Sequence, residues 1–325
     1  MKKIAVFTSG GDSPGMNACI RAVVRTAIYK NIEVMGILQG YKGMIEGGEN
    51  FIPLNSRSVG NIIQRGGTIL KTSRSKEFMT PEGRKKAYDN LVLNGIEGIV
   101  CIGGNGTFTG AEIFYNEYKI PSIGAPGTID NDLYGTDFTI GFDTAINTAV
   151  NAIDKIRDTA DSHGRVFFVE VMGREAGFIA LASTIAGGAE IALLPEVKEN
   201  YTEIIDFFKG ITSSKKSFSI AIVAEGNIEG GSTAIIEKIK KEIPDFDPRI
   251  VILGHIQRGG SPTAYDRVLA SRLGNGAVEA LLEGRKNEMV GLLNNQIAYT
   301  SFNDSIYKKK ELNPGLLKLI DVFNC

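Results

Sequence analysis

Ile4-Ala5-Val6-Phe7-Thr8-Ser9-Gly10-Gly11-Asp12-Ser13-Pro14-Gly15-Met16-Asn17 is the stretch from which the fold class is read. The apolar run Ile4–Thr8 reads as a buried strand, and the residues after Pro14 open a helix. A strand feeding a helix through a glycine loop is the building unit of a parallel α/β sheet. Glycines let backbone amides come close to a phosphate, and a helix N-terminus adds partial positive charge. The loop lacks the Gly-Lys-Ser/Thr of a Walker A motif and the spacing of the dinucleotide GxGxxG. Taken alone, it is also readable as a structural tight turn.

Outward from this unit the pattern recurs. Val34–Leu38, Gly98–Ile102 and Ser122–Ala125 read as buried strands, and Phe167–Val171, Phe218–Ala224 and Arg249–Leu253 as a second set. Residues 143–158 carry Ile146, Ala149, Val150, Ile153 and Ile156 on one helical stripe, with Asp143 as the expected N-cap. Strands alternating with helices predict an α/β fold with largely parallel sheets. Glycines fall repeatedly at strand carboxyl ends, at Gly10-Gly11, Gly103-Gly104, Gly127 and Gly173. Ligands of open α/β sheets bind at those ends. No linker, low-complexity tract or repeat array is visible, and a domain boundary is expected near residues 140–145.

Length and charge narrow the function. At 325 residues the chain has room for two domains, and 43% hydrophobic with 22% charged residues is ordinary globular composition. A net charge of −1 does not indicate a nucleic-acid surface or a polybasic membrane patch, so anion recognition must come from local clusters. Three cysteines (Cys19, Cys101 and Cys325) without metal spacing argue against a disulfide scaffold or a zinc site. Met1-Lys2-Lys3 precedes only a short apolar run and does not read as a signal peptide, and no stretch approaches the ~20 apolar residues of a membrane span. The expectation is a soluble, cytoplasmic protein.

Chemistry concentrates in Pro126-Gly127-Thr128-Ile129-Asp130-Asn131-Asp132. Asp130 and Asp132 lie at i and i+2, which in an extended segment project to one side. Like charges that close call for a cation, a raised pKa or a substrate proton. One carboxylate taking a hydroxyl proton while the other holds Mg²⁺ against phosphate oxygens suits the pair. An Asx-rich turn with solvated acids is the other reading of this stretch alone. An EF-hand fits poorly, with Tyr134 and Gly141 at ligand positions. Gly103-Gly104-Asn105-Gly106-Thr107 repeats the phosphate-loop logic after a strand, with Asn105 and Thr107 as oxygen donors; a plain strand-to-helix turn is again open. Arg74, Arg165, Arg174 and Arg249 are isolated cations, each also explicable as a solvated or paired surface group. His255 and Arg258, three residues apart in Gly254-His255-Ile256-Gln257-Arg258-Gly259-Gly260-Ser261-Pro262, suit reaching one phosphate. His163 reads as a surface residue.

Taken in order, the motifs SGGDSPGMN, RGGT, GGNGT, PGTIDNDLYGTDFTIGFDTA, VEVMGR and GHIQRGGSPTAYDR are similar to those of the bacterial ATP-dependent phosphofructokinases over nearly the full length. The resemblance implies two Rossmann-like three-layer domains with the active site in the cleft between them. Residues 1–141 plus about 256–305 would bind ATP, and 142–255 plus about 306–325 the sugar phosphate. It implies transfer of the ATP γ-phosphoryl group to the 1-hydroxyl of fructose 6-phosphate, with Mg²⁺ as cofactor. By motif, Asp130 matches the general base and Asp132 the companion carboxylate near the metal, with Asn105 the second metal position. Gly11, Arg74, Ser75, Gly104, Asn105, Gly106 and Thr107 match the ATP site. Arg74 and Arg174 would neutralise the transferring phosphoryl group. Thr128, Ile129, Met172, Gly173, Glu225, His255, Ile256, Gln257 and Arg258 match the sugar-phosphate site. Arg165 and Arg249 match arginines that reach the 6-phosphate from a neighbouring subunit, which implies a homo-oligomer, normally a homotetramer.

A separate effector site for ADP or phosphoenolpyruvate is implied at Arg21, Arg25, Arg57, Arg157, Gly188, Glu190 and Lys216. Arg21 and Arg25 stand at i and i+4 on the first helix, opposite Ile20, Val23, Val24 and Ala27, and a bound anion would offset their ~0.2–0.5 kcal/mol repulsion. Two departures from the family pattern stand out. Asn105 replaces a metal-ligating Asp, and Ser214 and Phe218 replace more polar or basic effector-site residues. Three competing readings remain. A pyrophosphate-dependent phosphofructokinase would carry bulkier charged residues at Gly106 and Gly127. NAD or lipid kinases share a GGxGT-type loop but not the GHIQRGGSP cluster. A non-catalytic sugar-phosphate sensor draws its support from Asn105 alone.

Overall fold

A computed structural model describes residues 1–197, 201–213 and 218–323 of the chain. From the N-terminus run β1 (Lys3–Thr8), α1 (Met16–Tyr29), β2 (Glu33–Ile37), α2 (Tyr41–Glu46), β3 (Phe51–Leu54) and α3 (Pro81–Leu93). There follow β4 (Gly98–Gly103), α4 (Asn105–Tyr118), β5 (Ser122–Pro126) and the long α5 (Phe142–His163). Then come β6 (Val166–Val171), α6 (Phe178–Gly187), β7 (Ile191–Leu193), α7 (Tyr201–Ser213), β8 (Ser219–Ala224), α8 (Gly231–Glu242) and β9 (Arg249–Ile252). A 3-10 turn, Gly254–Arg258, leads to α9 (Ala264–Leu282), β10 (Glu288–Leu293), β11 (Gln296–Ser301), α10 (Phe302–Tyr307) and α11 (Pro314–Phe323).

Two compact units result. The first comprises Met1–Ile129, Leu133–Thr144 and Arg258–Lys310, and the second Asp130–Asp132, Ala145–Gln257 and Glu311–Cys325. In the first, seven strands are ordered β11-β10-β5-β4-β1-β2-β3. All pairings are parallel except the β10–β11 hairpin and the β2–β3 pair. Successive side chains of a strand alternate between faces. Ile4 and Val6 therefore pack with α1 and α9, while Ala5 and Phe7 pack with α2, α3, α4 and Phe302. Helices on both faces make three layers, and a strand buried on both faces reads as a continuous apolar run, as β4 does. In the second unit four parallel strands are ordered β7-β8-β6-β9. Phe168 of β6 packs with Phe208 of α7 and Phe246 in a core shared with α8.

The α/β class with largely parallel sheets is thus the observed one, and all seven predicted strands are present. The helix expected over 143–158 runs from Phe142 to His163, so Asp143 lies in its first turn rather than at its N-cap. Four strands have no counterpart in the sequence reading: β3, β7, β10 and β11. β7 is three residues long, β3 contains Pro53 and β11 is only half-buried, whereas β10 carries a buried apolar run over Met289–Leu292 of the kind that marked the others. Among the described residues no helix is long and apolar enough to cross a membrane.

Candidate active site

Three loops leave neighbouring carboxyl ends of β1, β4 and β5 in the first unit. The loop after β1 is pinned where it starts, with Ser9 N–H donating to Ile102 O (3.0 Å) and Thr72 Oγ1 donating to Gly10 O (2.7 Å). At Gly11 a Cβ would stand 2.3 Å from Arg258 Nη1, so a side chain there would push this guanidinium away from the loop. Arg258 Nη1 also donates to Asp12 O at 3.3 Å. The loop after β4 runs straight into α4, whose first turn is Asn105-Gly106-Thr107 and whose N-cap position, Gly104, offers no side-chain cap. Thr107 N–H bonds back to Gly104 O (2.9 Å), and the helix dipole draws an anion to this end. Tyr41, buried and stacked on Phe78, donates its hydroxyl to Thr107 O at 2.6 Å and so fixes that turn. Burial raises the Tyr41 pKa, which keeps the group a donor. The hydroxyls of Thr107 and Ser13 are buried without a hydrogen-bond partner, an arrangement that suits a polar ligand.

The loop after β5 closes on itself. Ile140 N–H donates to Pro126 O (2.8 Å), Thr139 Oγ1 to Thr128 O (2.6 Å), and Gly127 N–H to Gly103 O (2.9 Å). Thr128 is thereby held beside Gly104, whose Cβ, if present, would lie 3.6 Å from Thr128 Cβ. The two glycines expected to select the phosphoryl donor differ. A Cβ at Gly106 meets nothing within 4 Å, whereas one at Gly127 meets Ile102 Cγ2 at 3.0 Å and Met16 Cε at 3.1 Å. Of the two, Gly106 is the one with open space beside it; Gly127 is constrained by the core.

Arg74 is exposed, and Ser75 Oγ accepts from Phe78 N–H. Behind them, buried Arg84 clamps the chain. It donates to Phe78 O and Met79 O and makes a bidentate pair with Glu117 at 2.7 and 2.6 Å. The pairing lowers the Glu117 pKa and raises that of Arg84. Asn17, buried in the first turn of α1, accepts from Ile69 N–H and donates to Arg65 O and Gly66 O, holding the RGGT loop.

In the second unit Asp130 meets the turn that follows β6. Asp130 is 2% exposed and lies 3.5 Å from Arg174 Nε. Arg174 has a left-handed φ of 52°, as does Asn131 at 54°, conformations that cost a non-glycine residue energy. Glu225 holds this turn: its Oε1 accepts from Arg174 N–H (2.9 Å) and Gly173 N–H (3.3 Å). Asp132 is half-buried and Met172 buried. In the 3-10 turn, His255 and Ile256 are exposed and Gln257 is buried, donating to Gly254 O. Arg165 is exposed, and Arg249 pairs with Asp247 at 2.9 Å.

Effector candidates are placed as follows. Arg21 is half-buried and Arg25 exposed on α1, and Arg57 is exposed. Arg157 donates to Gly187 O and Gly188 O at the C-terminal end of α6 and lies over the Phe218 ring. Gly188 supplies the left-handed φ of 60° that ends α6. Glu190 is nearly buried and accepts from Ile220 N–H and Ser219 Oγ. Lys216 and Ser214 lie outside the described residues. The positioning contacts of Tyr41, Asn17 and Arg84, and Glu225's grip on the Arg174 turn, have no local signal: apart from Phe78 and Met79 beside Arg84, their partners lie 33 to 66 residues away in sequence.

A mostly parallel α/β sheet with two glycine loops at neighbouring strand ends, one of them opening a helix, is the construction of a phosphate-binding α/β protein. The sequence profile described as phosphofructokinase matches residues 3–281. The ATP-dependent 6-phosphofructokinase of Cytophaga hutchinsonii is 60% identical over 324 residues, covering 100% of this chain and 98% of its own. ATP-dependent 6-phosphofructokinase 1 of Thermus thermophilus is 55% identical, covering 99% of both. The phosphofructokinase structure from Saccharomyces cerevisiae superposes with a TM-score of 0.89 at 36% identity, over 100% of this chain, which spans about half (47%) of the yeast chain. A pyrophosphate-dependent phosphofructokinase from Marinobacter aquaeolei shares the fold at 23% identity and a TM-score of 0.83, over 96% of this chain and 86% of its own. The chain belongs to the phosphofructokinase family.

Proposed function

We propose that this protein transfers the γ-phosphoryl group of ATP to the 1-hydroxyl of fructose 6-phosphate, giving fructose 1,6-bisphosphate and ADP. The observation that carries the reading is Asp130: a buried carboxylate held 3.5 Å from an arginine on a strained, carboxylate-pinned turn, in a chain 60% identical end to end to an ATP-dependent 6-phosphofructokinase. Asp130 accepts the proton of the 1-hydroxyl as its oxygen bonds to the γ-phosphorus and the bond from phosphorus to the ADP oxygen breaks. Arg174 and Arg74 hold the oxygens of the moving phosphoryl group. Gly11, Ser75, Gly104, Asn105, Gly106 and Thr107 bind ATP. Thr128, Ile129, Met172, Gly173, Glu225, His255, Ile256, Gln257 and Arg258 bind the sugar phosphate, with Arg165 and Arg249 contributed from a neighbouring subunit of a homotetramer.

Among the described residues no three His, Cys, Asp or Glu side chains form a metal cluster. The oxygen donors Asp132 and Asn105 still fit Mg²⁺, which keeps several waters and takes one or two protein ligands beside nucleotide phosphates. When bound, Mg²⁺ supplies neutralisation of phosphate charge. Residues 1–141 with about 256–305 take the ATP role and 142–255 with about 306–325 the sugar-phosphate role. ADP or phosphoenolpyruvate acts at Arg21, Arg25, Arg57, Arg157, Gly188, Glu190 and Lys216, and the compartment is the cytoplasm.

The test is a coupled assay of purified protein with ATP or pyrophosphate, each with and without fructose 6-phosphate. Turnover is expected with ATP plus fructose 6-phosphate. Turnover with pyrophosphate and none with ATP would reject the donor, and binding without turnover would leave a sensor.

A further inference from the structure

One buried carboxylate outside the residues assigned above ties three loops together. Asp266 is fully buried in the first turn of α9. It accepts from Gly141 N–H (2.8 Å) with one oxygen, and from Thr144 N–H (2.8 Å) and Thr144 Oγ1 (2.5 Å) with the other. Thr144 Oγ1 in turn accepts from Thr263 N–H at 3.1 Å. Thr263, the N-cap of α9, accepts from Asp266 N–H and donates its hydroxyl to Asp143 Oδ2 at 2.5 Å. The first turns of α5 and α9 thus cap each other through side chains. The loop after β1 packs on the same point. A Cβ at Gly15 (φ 106°) would fall 2.7 Å from Ile140 Cγ2 and 3.7 Å from Asp266 Cβ, and one at Gly141 (φ 103°) 2.6 Å from Ser13 Cβ.

We propose that Asp266 is a positioning residue for phosphoryl transfer: its carboxylate holds the Ser9–Gly15 loop, the end of the Gly127–Gly141 loop and the segment from Arg258 to Thr263 in one register. The inference rests on the function proposed above. Gly141 directly follows the Ile140 that closes the Thr128 loop, and Arg258, five residues before Thr263, bonds the carbonyl of Asp12. Asp266 therefore acts through the loops that carry the assigned groups. Small misplacements of reacting groups lower turnover steeply.

Titration supplies a readout that a merely structural role would not move. Burial pushes the Asp266 carboxyl up to about 6, against the pull of its hydrogen bonds from Thr144 and Gly141, and Asp143 on α5 adds to the rise. The other group facing it is Tyr265 of its own helix, which also interacts with Asp143, Asp137 and Arg272. Ser13, Pro14 and Gly15 bring no charge. A protonated carboxyl turns an O–H toward donors, so all three bonds form only in the ionised state.

The experiment compares wild type and D266N in the coupled ATP assay from pH 5.5 to 8. Above pH 7 the kcat of D266N should fall by about tenfold to a hundredfold, with KM for ATP and for fructose 6-phosphate within about threefold of wild type. The ratio of wild-type to variant kcat should shrink as the pH drops below about 6, where the wild-type carboxyl takes up its proton. T144V, which removes one of the three donors, should show a smaller fall of about threefold. A folded D266N with wild-type kcat, or a ratio constant across pH, overturns the inference. If D266N does not fold, T144V decides, and a wild-type kcat there overturns it. A wild type without fructose 6-phosphate-dependent turnover overturns the proposed function and this inference together; an active wild type with an unaffected variant overturns this inference alone.

Discussion

The glycine loops of the first unit and the Gly173–Arg174 corner of the second are built by opposite means. At Gly104–Thr107 no side-chain cap covers the start of α4, and what this end offers is backbone and the helix dipole. At Gly173–Arg174 the groups that matter are side-chain charges: Asp130 beside Arg174, and Glu225 holding the strained turn from behind. Backbone recognition has no side chain to truncate and is harmed by additions. Side-chain recognition is harmed by deletion. The contrast predicts which kind of substitution each region tolerates.

The largest effect is expected at the corner. Asp130→Asn keeps size and removes basicity, so kcat should fall by ~10²–10⁴ with little change in KM for fructose 6-phosphate. Steady-state kinetics check this, and wild-type turnover would remove Asp130 from the role of base. The next effect probes the loops by addition. A side chain at Gly106 has open space, so Gly106→Asp should fold normally and raise KM for ATP by about tenfold or more through charge against phosphate. Unchanged ATP kinetics would break the contrast. Glu225→Gln keeps one acceptor oxygen for Arg174 N–H and loses the charge, for about a tenfold fall in kcat/KM, ~1.4 kcal/mol. A fall as large as that of Asp130→Asn would mean that Glu225 does more than hold the turn. The smallest effect belongs to Asn105→Asp, which adds a carboxylate where the backbone already offers donors. It should change kcat/KM for MgATP by tenfold or less. A hundredfold gain from a nearly inactive wild type would instead mark Asn105 as a lesion.

Legibility followed the range of each interaction. Strands such as β4 and β8, apolar on both faces, announce themselves within six residues, and the α5 stripe does so within four turns. β11 pairs only with its hairpin partner and is half-buried, so no local signal marked it. Even where residues were singled out, their partners were not. Arg258 lies against Gly11, about 250 residues earlier, and Arg157 caps α6 across 31 residues. The Thr263–Asp266 spacing is a local helix-start signature, although nothing local says that its acid also caps α5.

What the sequence by itself determined was the α/β class, the strand-end placement of the glycine loops and the identity of the acids and arginines, because periodicity and motif spacing are local properties of the chain. Tertiary structure alone decided which of these groups touch. Asp130 met Arg174, Glu225 took the turn beneath it, Tyr41 reached Thr107, and Asp266 became the point where two helix starts and the glycine loop after β1 join. Those contacts join residues up to 125 apart, and only the packing of strands and helices brings such donors and acceptors within 3.5 Å.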